Sequence, residues 1–363
     1  MKPLTECLAC GLKKFQPLID LGEQPLANNL GSEEKYPLAV QYCENCFHGQ
    51  LTVSVDPEIL YRDYKYVSGT SDTLNGWFKG FSNRFQHYEA GRVLDIAGND
   101  GSLLKHFKNM GWEVLNVDPA TNLKSFNDDL GIEMVTEFWN EEVASSHGQF
   151  DVICAFNVLA HTPDPLTILK GIKKALKPGG RAFIMTSQMH MLATGQFDTI
   201  YHEHHSFFTQ DSMRTLLDRV FKGYVYTFDS ESVNGQSMMV EVSRPYLAFN
   251  GIAKEVITFI QNLPEGTVGY GAAAKATVQL NAAGRDLVWI ADENPLKQGF
   301  MVPGTKTPIV SPDVLLEDNG NLDIYIPAWN LSDEIMHKVK ELRPNKHDRF
   351  HIPFPWPKTI GNE

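Results

Sequence analysis

Three imidazoles, a carboxylate and a phenol fill five consecutive positions, Tyr201-His202-Glu203-His204-His205. Histidine is the side chain whose unperturbed pKa lies nearest neutral pH, so it is the usual general acid or base. A neighbouring carboxylate can hold the ring in one tautomer or stabilise the imidazolium. A polar loop with incidental histidines or a weak metal site has the same composition, so the rest of the chain must decide.

A second set of reactive side chains lies near the N-terminus, in Cys7-Leu8-Ala9-Cys10 and Cys43-Glu44-Asn45-Cys46. Each pair lets two sulfurs reach one metal from a tight turn, and two pairs complete a tetrahedral thiolate shell. Four thiolates leave no open position, so the expected zinc is architectural. The interval Gly11–Tyr42 must then form a small lobe. His48 is a competing ligand, and Cys154 sits in an apolar strand as core.

The elements that position these residues follow from pattern. Trp77, Phe78, Phe81 and Phe85 recur at helical period between Leu74 and Tyr88. Arg92–Ile96 reads as a buried strand, followed by a small-residue loop, Ala97-Gly98-Asn99-Asp100-Gly101, and a helix start. A second strand, Glu113–Val117, ends in Asp118-Pro119, and an acid at that interval is placed for ribose hydroxyls. A strand over Asp151–Asn157, a helix near Leu166–Leu176 and a strand Arg181–Thr186 continue the alternation. This order predicts a parallel α/β sheet. The tyrosines of Tyr61-Arg62-Asp63-Tyr64-Lys65-Tyr66, read alone, fit core packing.

Composition narrows the partners. The chain has 363 residues, room for two or three domains, and 42% hydrophobic with 21% charged residues is globular usage. A formal charge of −12 disfavours nucleic acid and anionic membranes. The N-terminal residues lack a signal-peptide core and no stretch is apolar enough to span a bilayer, so a cytoplasmic protein is expected.

The strand–Asp–loop–strand–Asp order, with Lys177-Pro178-Gly179-Gly180 before another strand, resembles class I S-adenosylmethionine-dependent methyltransferases. Ala97 and Asn99 replace two glycines of that pattern. With the two cysteine knuckles, Pro25-Leu26-Ala27-Asn28, Tyr64-Lys65-Tyr66-Val67-Ser68-Gly69, Asn157-Val158-Leu159-Ala160-His161 and Phe197-Asp198-Thr199-Ile200-Tyr201-His202-Glu203-His204, the chain resembles the deoxysugar C-methyltransferases. Gly269-Tyr270-Gly271-Ala272-Ala273-Ala274-Lys275 and Trp329-Asn330-Leu331 extend the resemblance to the C-terminal part. It implies an α/β protein of three domains. These are a four-cysteine zinc-binding domain over 1–72, a Rossmann-like methyltransferase domain over 73–245, and a second Rossmann-like domain over 246–363 that binds a sugar nucleotide.

The resemblance also implies roles. His204 is the general base, with Tyr201, Glu203, His161 and Tyr66 in the same site. Tyr66 thereby moves from core to substrate-facing phenol, with Tyr64 and His202 as further substrate contacts. Asp95, Gly98, Asn99, Asp100, Gly101, Asp118, Pro119, Phe156 and Asn157 hold S-adenosylmethionine, and Trp139 covers its adenine. Lys275 neutralises a substrate diphosphate, and Cys7, Cys10, Cys43 and Cys46 hold zinc. The expected reaction is methylation of C3 of a 4-keto deoxysugar on a nucleoside diphosphate, TDP first, by a monomer. Two other readings compete. Gly269-x-Gly271-x-x-Ala274 with Asp292 fits an NAD-linked sugar enzyme, and a zinc-bearing methyltransferase could act on RNA or protein.

Overall fold

The computed structural model describes residues 1–231, 237–354 and 356–361. The chain divides into two compact units, Met1–Asn83 with Glu89–Ala248, and Arg84–Tyr88 with Phe249–Glu363.

The first unit is built on a seven-stranded sheet. Its order is Val225–Glu231, Ser237–Ser243, Leu176–Thr186, Phe150–Phe156, Arg92–Ile96, Glu113–Val117, Glu133–Val135. Ser237–Ser243 runs antiparallel to both neighbours; the other pairs are parallel. Val93, Leu94 and Ile96 are buried, as a strand covered on both faces requires. Arg92–Ile96 lies between Phe150–Phe156 and Glu113–Val117, so the strand order reverses there. The crevice beyond the carboxyl ends at that switch point is where open α/β sheets bind ligands.

The helix expected over Leu74–Tyr88 is shorter, Asp72–Ser82, with a single turn of tighter helix over Asn83–Phe85. Ser71 caps it, accepting from Leu74 N–H at 3.2 Å. Helix Pro165–Ala175 begins on an Asp164 cap with proline at its first position, which fixes the chain just after His161.

Arg181 and Glu241 form a buried two-toothed ion pair across the antiparallel strands, at 2.7 and 2.9 Å. Removing one partner strands a charge in the interior, at about 3–5 kcal/mol. Glu241→Leu is therefore expected to lower the thermal midpoint sharply, and adding Arg181→Met to recover much of the loss. Equal midpoints for the single and double variants would contradict this.

The N-terminal lobe is a four-stranded antiparallel sheet ordered Ser206–Phe207, Gly49–Leu51, Lys35–Cys43, Phe15–Pro25. Its outer strand comes from directly after the histidine loop: Ser206 pairs with Gln50 and Phe207 with Gly49. Gly49 has no Cβ because one would meet Met189 Sδ at 2.8 Å and Phe207 Cβ at 3.2 Å. The lobe thus borrows a strand from residues well beyond 72.

The second unit has a six-stranded sheet ordered Ile309–Val310, Ile290–Ala291, Val268–Tyr270, Asp323–Tyr325, Arg349–Ile352, Lys358–Gly361, parallel except for its last pair. Among the described residues no helix is long and apolar enough to cross a membrane.

Candidate active site

A cavity of about 920 Å³ opens at the switch point of the first unit. Asp95, Ala97, Gly98 and Asn99 form one wall, Asp118 and Pro119 the next, and Phe156, Asn157 and His161 a third. Ala97 (φ 53°), Asn99 (φ 52°) and Asn157 (φ 58°) all adopt the left-handed region. The loop therefore keeps a glycine-type path although glycines have been replaced, at a cost of order 1–3 kcal/mol per strained residue.

A buried amide network holds the loop in place. Asn116 Oδ1 accepts from Gly98 N–H at 3.1 Å, and the side chains of Asn116 and Asn127 both donate to Asn99 C=O. Asn99 itself grips the preceding segment, donating to Tyr66 C=O and accepting from Ser68 N–H. At Gly98 a Cβ would come within 2.7 Å of Asp95 Oδ2 and Asn116 Oδ1. Asp118 accepts from Asn99 and Ala120 N–H at 2.9 and 2.8 Å. Burial raises the carboxyls of Asp95 and Asp118, and Asp95 is raised further by Asp118 and Asp100.

The histidine loop closes the far side. His204 N–H donates to Tyr201 C=O at 2.9 Å, a tight turn that lays the two rings together with centroids 4.0 Å apart. His204 Nδ1 lies 2.7 Å from Thr199 C=O. A carbonyl only accepts, so Nδ1 carries the proton and Nε2 presents its lone pair. That lone pair receives the Tyr201 hydroxyl at 2.8 Å. His161 packs edge-on against His204, 4.7 Å between centroids.

Burial lowers His204 and His205 to about 4, and His161 well below its ordinary value. All three are neutral at pH 7. A group with a depressed folded pKa resists protonation only when folded, so its contribution is present above the unfolded value of about 6.5. It is lost as pH falls towards 4. The thermal midpoint is accordingly expected to drop steeply between those limits, and a flat midpoint over that range would contradict the burial of these rings.

Behind this wall lies Glu203. Its carboxylate accepts from Asn28 Nδ2 at 2.8 and 2.9 Å and from Tyr64 Oη at 3.2 Å. Tyr61 Oη donates to the backbone carbonyls of His161 and Glu203, tying the two loops together. Tyr64 is thus bonded into the histidine loop. Tyr66 also lines the cavity but is 46% exposed, at the rim.

Not every residue singled out in the sequence faces the cavity. His202 points the other way, its Nε2 on Tyr36 C=O. Asp100 holds Gly69 N–H and Ser102 N–H, so it braces the loop instead of lining it, and Gly101 packs over Asn127. His205 is buried on Ser54 Oγ at 2.8 Å and clamps the lobe to the loop, which explains a polar residue where an apolar one is expected. Asn28, Tyr61 and Thr199 belong to the site, yet their partners lie 100 or more residues away or, for Thr199, on a backbone oxygen. Trp139 borders the cavity with its indole N–H unpartnered.

The four thiols of Cys7, Cys10, Cys43 and Cys46 lie within 4.8 Å of one another, and the pairs Cys7–Cys46 and Cys10–Cys43 are 3.6 Å apart. Four sulfurs at about 2.3 Å from a tetrahedral zinc would stand roughly 3.8 Å apart. The donor set and spacing fit that ion. Each knuckle is a hydrogen-bonded turn, with Gly11 N–H on Cys7 C=O and Phe47 N–H on Cys43 C=O. His48 is buried against Phe208, apart from this cluster.

In the second unit Gly269 lies within the Val268–Tyr270 strand, and Gly271 follows it and leads into helix Ala274–Ala283. Asp292, which a dinucleotide site would aim at a ribose, instead binds Lys297 Nζ at 2.9 Å and Asn294 N–H. Lys275 is exposed, bonded to Asn330 Oδ1 at 2.6 Å and lying 4.7 Å over the Trp329 ring.

Known families match this layout in order. A zinc binding domain family matches residues 7–61, a methyltransferase domain family 75–220, and a C-methyltransferase C-terminal domain family 245–355. The C-methyltransferase NovU of Streptomyces niveus is 28% identical over an alignment of 417 positions, spanning 100% of this chain and 98% of that protein. The chain is thus similar to this C-methyltransferase over its whole length and matches the three domain families in the same order. A ubiquinone biosynthesis O-methyltransferase of Xanthomonas campestris pv. campestris is 30% identical over 101 residues, 26% of this chain and 42% of its own length. A SAM dependent methyltransferase structure from Archaeoglobus fulgidus aligns with 48% of this chain and 94% of its own, at 15% identity and a TM-score of 0.39.

The cofactor is therefore S-adenosylmethionine, and the cavity fits it. No lysine or arginine is among the described lining residues, whereas Asp95 and Asp118 are, which suits a cationic sulfonium. Gly98→Val is expected to weaken its binding by roughly tenfold or more, because the added carbons fall on Asp95 and Asn116. Titration calorimetry with S-adenosylmethionine reads this directly; unchanged affinity would remove the loop from the cofactor site.

Proposed function

We propose that this C-methyltransferase methylates the carbon beside the ketone of a 4-keto deoxysugar carried on a nucleoside diphosphate, at C3 and with TDP as the first candidate. The observation that carries the reading is the neutral His204, its Nδ1–H tied to Thr199 and its basic Nε2 facing Tyr201 on the wall of the cofactor cavity.

A C–H beside a ketone is a weak acid, so a base within hydrogen-bond reach is needed. In this reading the C3 proton passes to the Tyr201–His204 pair, whose basic atom is His204 Nε2. The electron pair left behind spreads onto the ketone oxygen, where donors must meet it. Tyr66 supplies a phenol there, Tyr64, whose proton goes to Glu203, accepts instead from a sugar hydroxyl, and His161 backs His204. Bound S-adenosylmethionine supplies an electrophilic methyl on a sulfonium. Gly98, Asn99 and Asp118 would cradle its amino acid and ribose parts, and Phe156, Asn157 and Trp139 its adenosine. What the walls add is alignment of carbon and methyl.

Lys275, at the start of the helix after the glycine loop of the C-terminal domain, is assigned in this reading to a substrate diphosphate. Asp292 is already engaged by Lys297 and Asn294 N–H, which weighs against the NAD-linked alternative. The acceptor in this reading is a small molecule handled by a cytoplasmic monomer.

The test is mass spectrometry of TDP-, GDP- and CDP-linked 4-keto-6-deoxy sugars incubated with the protein and S-adenosylmethionine in deuterated buffer. A carbon-methylated product is expected from one of them. The absence of both methylation and deuterium uptake on every sugar tested would overturn the substrate class.

A further inference from the structure

Asn28 has no part in metal binding, yet it reaches across to a residue 175 positions later. It follows strand Phe15–Pro25, and Leu26 anchors its loop by packing into a small cluster with Val55 and Leu60. Asn29 N–H closes the turn on Leu26 C=O. The amide so placed offers Nδ2 to both oxygens of Glu203. Only the nitrogen end can face a carboxylate favourably, so the orientation of the amide is fixed by charge.

We propose that Asn28 is a positioning residue for methyl transfer: its amide fixes the Glu203 carboxylate in the orientation that receives the Tyr64 hydroxyl at the cavity wall. The inference rests on the histidine loop being the catalytic loop, as argued above. Glu203 faces Tyr61, Tyr64 and Tyr201, and its chain neighbours His204 and His205 are neutral. No cation pairs with it among the described residues. Burial raises its carboxyl, and Asn28 and then Tyr64 oppose that rise. With Glu203 ionised, Tyr64 donates its proton inward and turns its oxygen lone pairs to the substrate. With Glu203 protonated, that arrangement reverses.

Two measurements test this. Difference infrared titration of wild type against Glu203→Gln isolates the Glu203 carboxyl band and needs no sugar. Asn28→Ala is expected to move its midpoint to higher pH, and Asn28→Gln, which keeps an amide, to move it less; an unmoved midpoint overturns the inference. Turnover supplies the second. Asn28→Ala is expected to lower kcat roughly tenfold at neutral pH, with its acid limb moved up, and to cost nothing further in the Glu203→Gln background. Losses that multiply in the double variant would mean that Asn28 acts elsewhere. S-adenosylmethionine binding unchanged in each variant shows that the fold is kept. If no keto sugar is methylated by wild type, the substrate reading fails while the infrared result still decides the role of Asn28.

Discussion

His204→Ala is expected to lower methyl transfer by roughly 100- to 10,000-fold, the usual reach of a positioned general base, and to leave S-adenosylmethionine binding within about twofold. The separation follows from geometry. His204 stands in the histidine loop, held by Thr199 and Tyr201, whereas the glycine loop is held by Asn116, Asn127 and Asp118. No hydrogen bond between described residues joins the two sets directly. Tyr201→Phe removes the hydroxyl from Nε2 but keeps the ring packed at 4.0 Å, so it isolates the phenol from its bulk. Turnover near wild type in His204→Ala would discard His204 as the base. Loss of cofactor binding in the same variant would show that the loop shapes the donor site instead.

Stripping the metal, or replacing Cys43 by Ser, is expected to abolish turnover and to melt the N-terminal lobe. Four sulfurs this close cannot all ionise without a cation between them; already the hydrogen bond from Cys46 lowers Cys7 while the same contact raises Cys46. The binding free energy of a structural zinc is folding free energy for the segment that makes the site. Here that segment also delivers Asn28, Tyr61 and Tyr64 to the active site, so loss of order in the lobe reaches the chemistry. Metal analysis is expected to give one zinc per chain. Hydrogen exchange after chelation is expected to rise over the Phe15–Pro25 and Lys35–Cys43 strands and in the Tyr201–His205 loop. Full turnover in metal-free protein would end the idea. Cys154→Ser is the control: it changes a buried strand thiol that is not part of the cluster.

The parts legible in the sequence were those with short-range signatures. Two Cys-x-x-Cys turns, an apolar strand followed by small residues, and Asp164-Pro165 before a helix each encode their geometry within a few residues. The replaced glycines were harder: Ala97 and Asn99 look like departures from the loop, yet both take its left-handed path, and the amides of Asn116 and Asn127 that hold it lie outside any motif. The helix expected to Tyr88 ends at Ser82, and the tighter turn Asn83–Phe85 that follows still buries Phe85, so its apolar residue sits on the same pattern without being α-helical. Asp100 and His202 have the right chemistry and the wrong direction, and one residue of displacement in a turn decides that. Asn28 and Tyr61 could not be placed at all, since their partners lie far along the chain.

The strand Ser206–Phe207, which completes the N-terminal sheet, has a consequence for the order of events during synthesis. All four thiols have left the ribosome well before that strand is made, and the lobe's edge stays unpaired until roughly 150 more residues follow. At about 5–20 residues per second that wait is on the order of ten seconds, with an open strand edge exposed to any neighbouring chain. Early capture of zinc would keep the nascent hairpin ordered over this interval. The same dependence means that a chain ending at residue 72 carries every metal ligand yet not a finished domain.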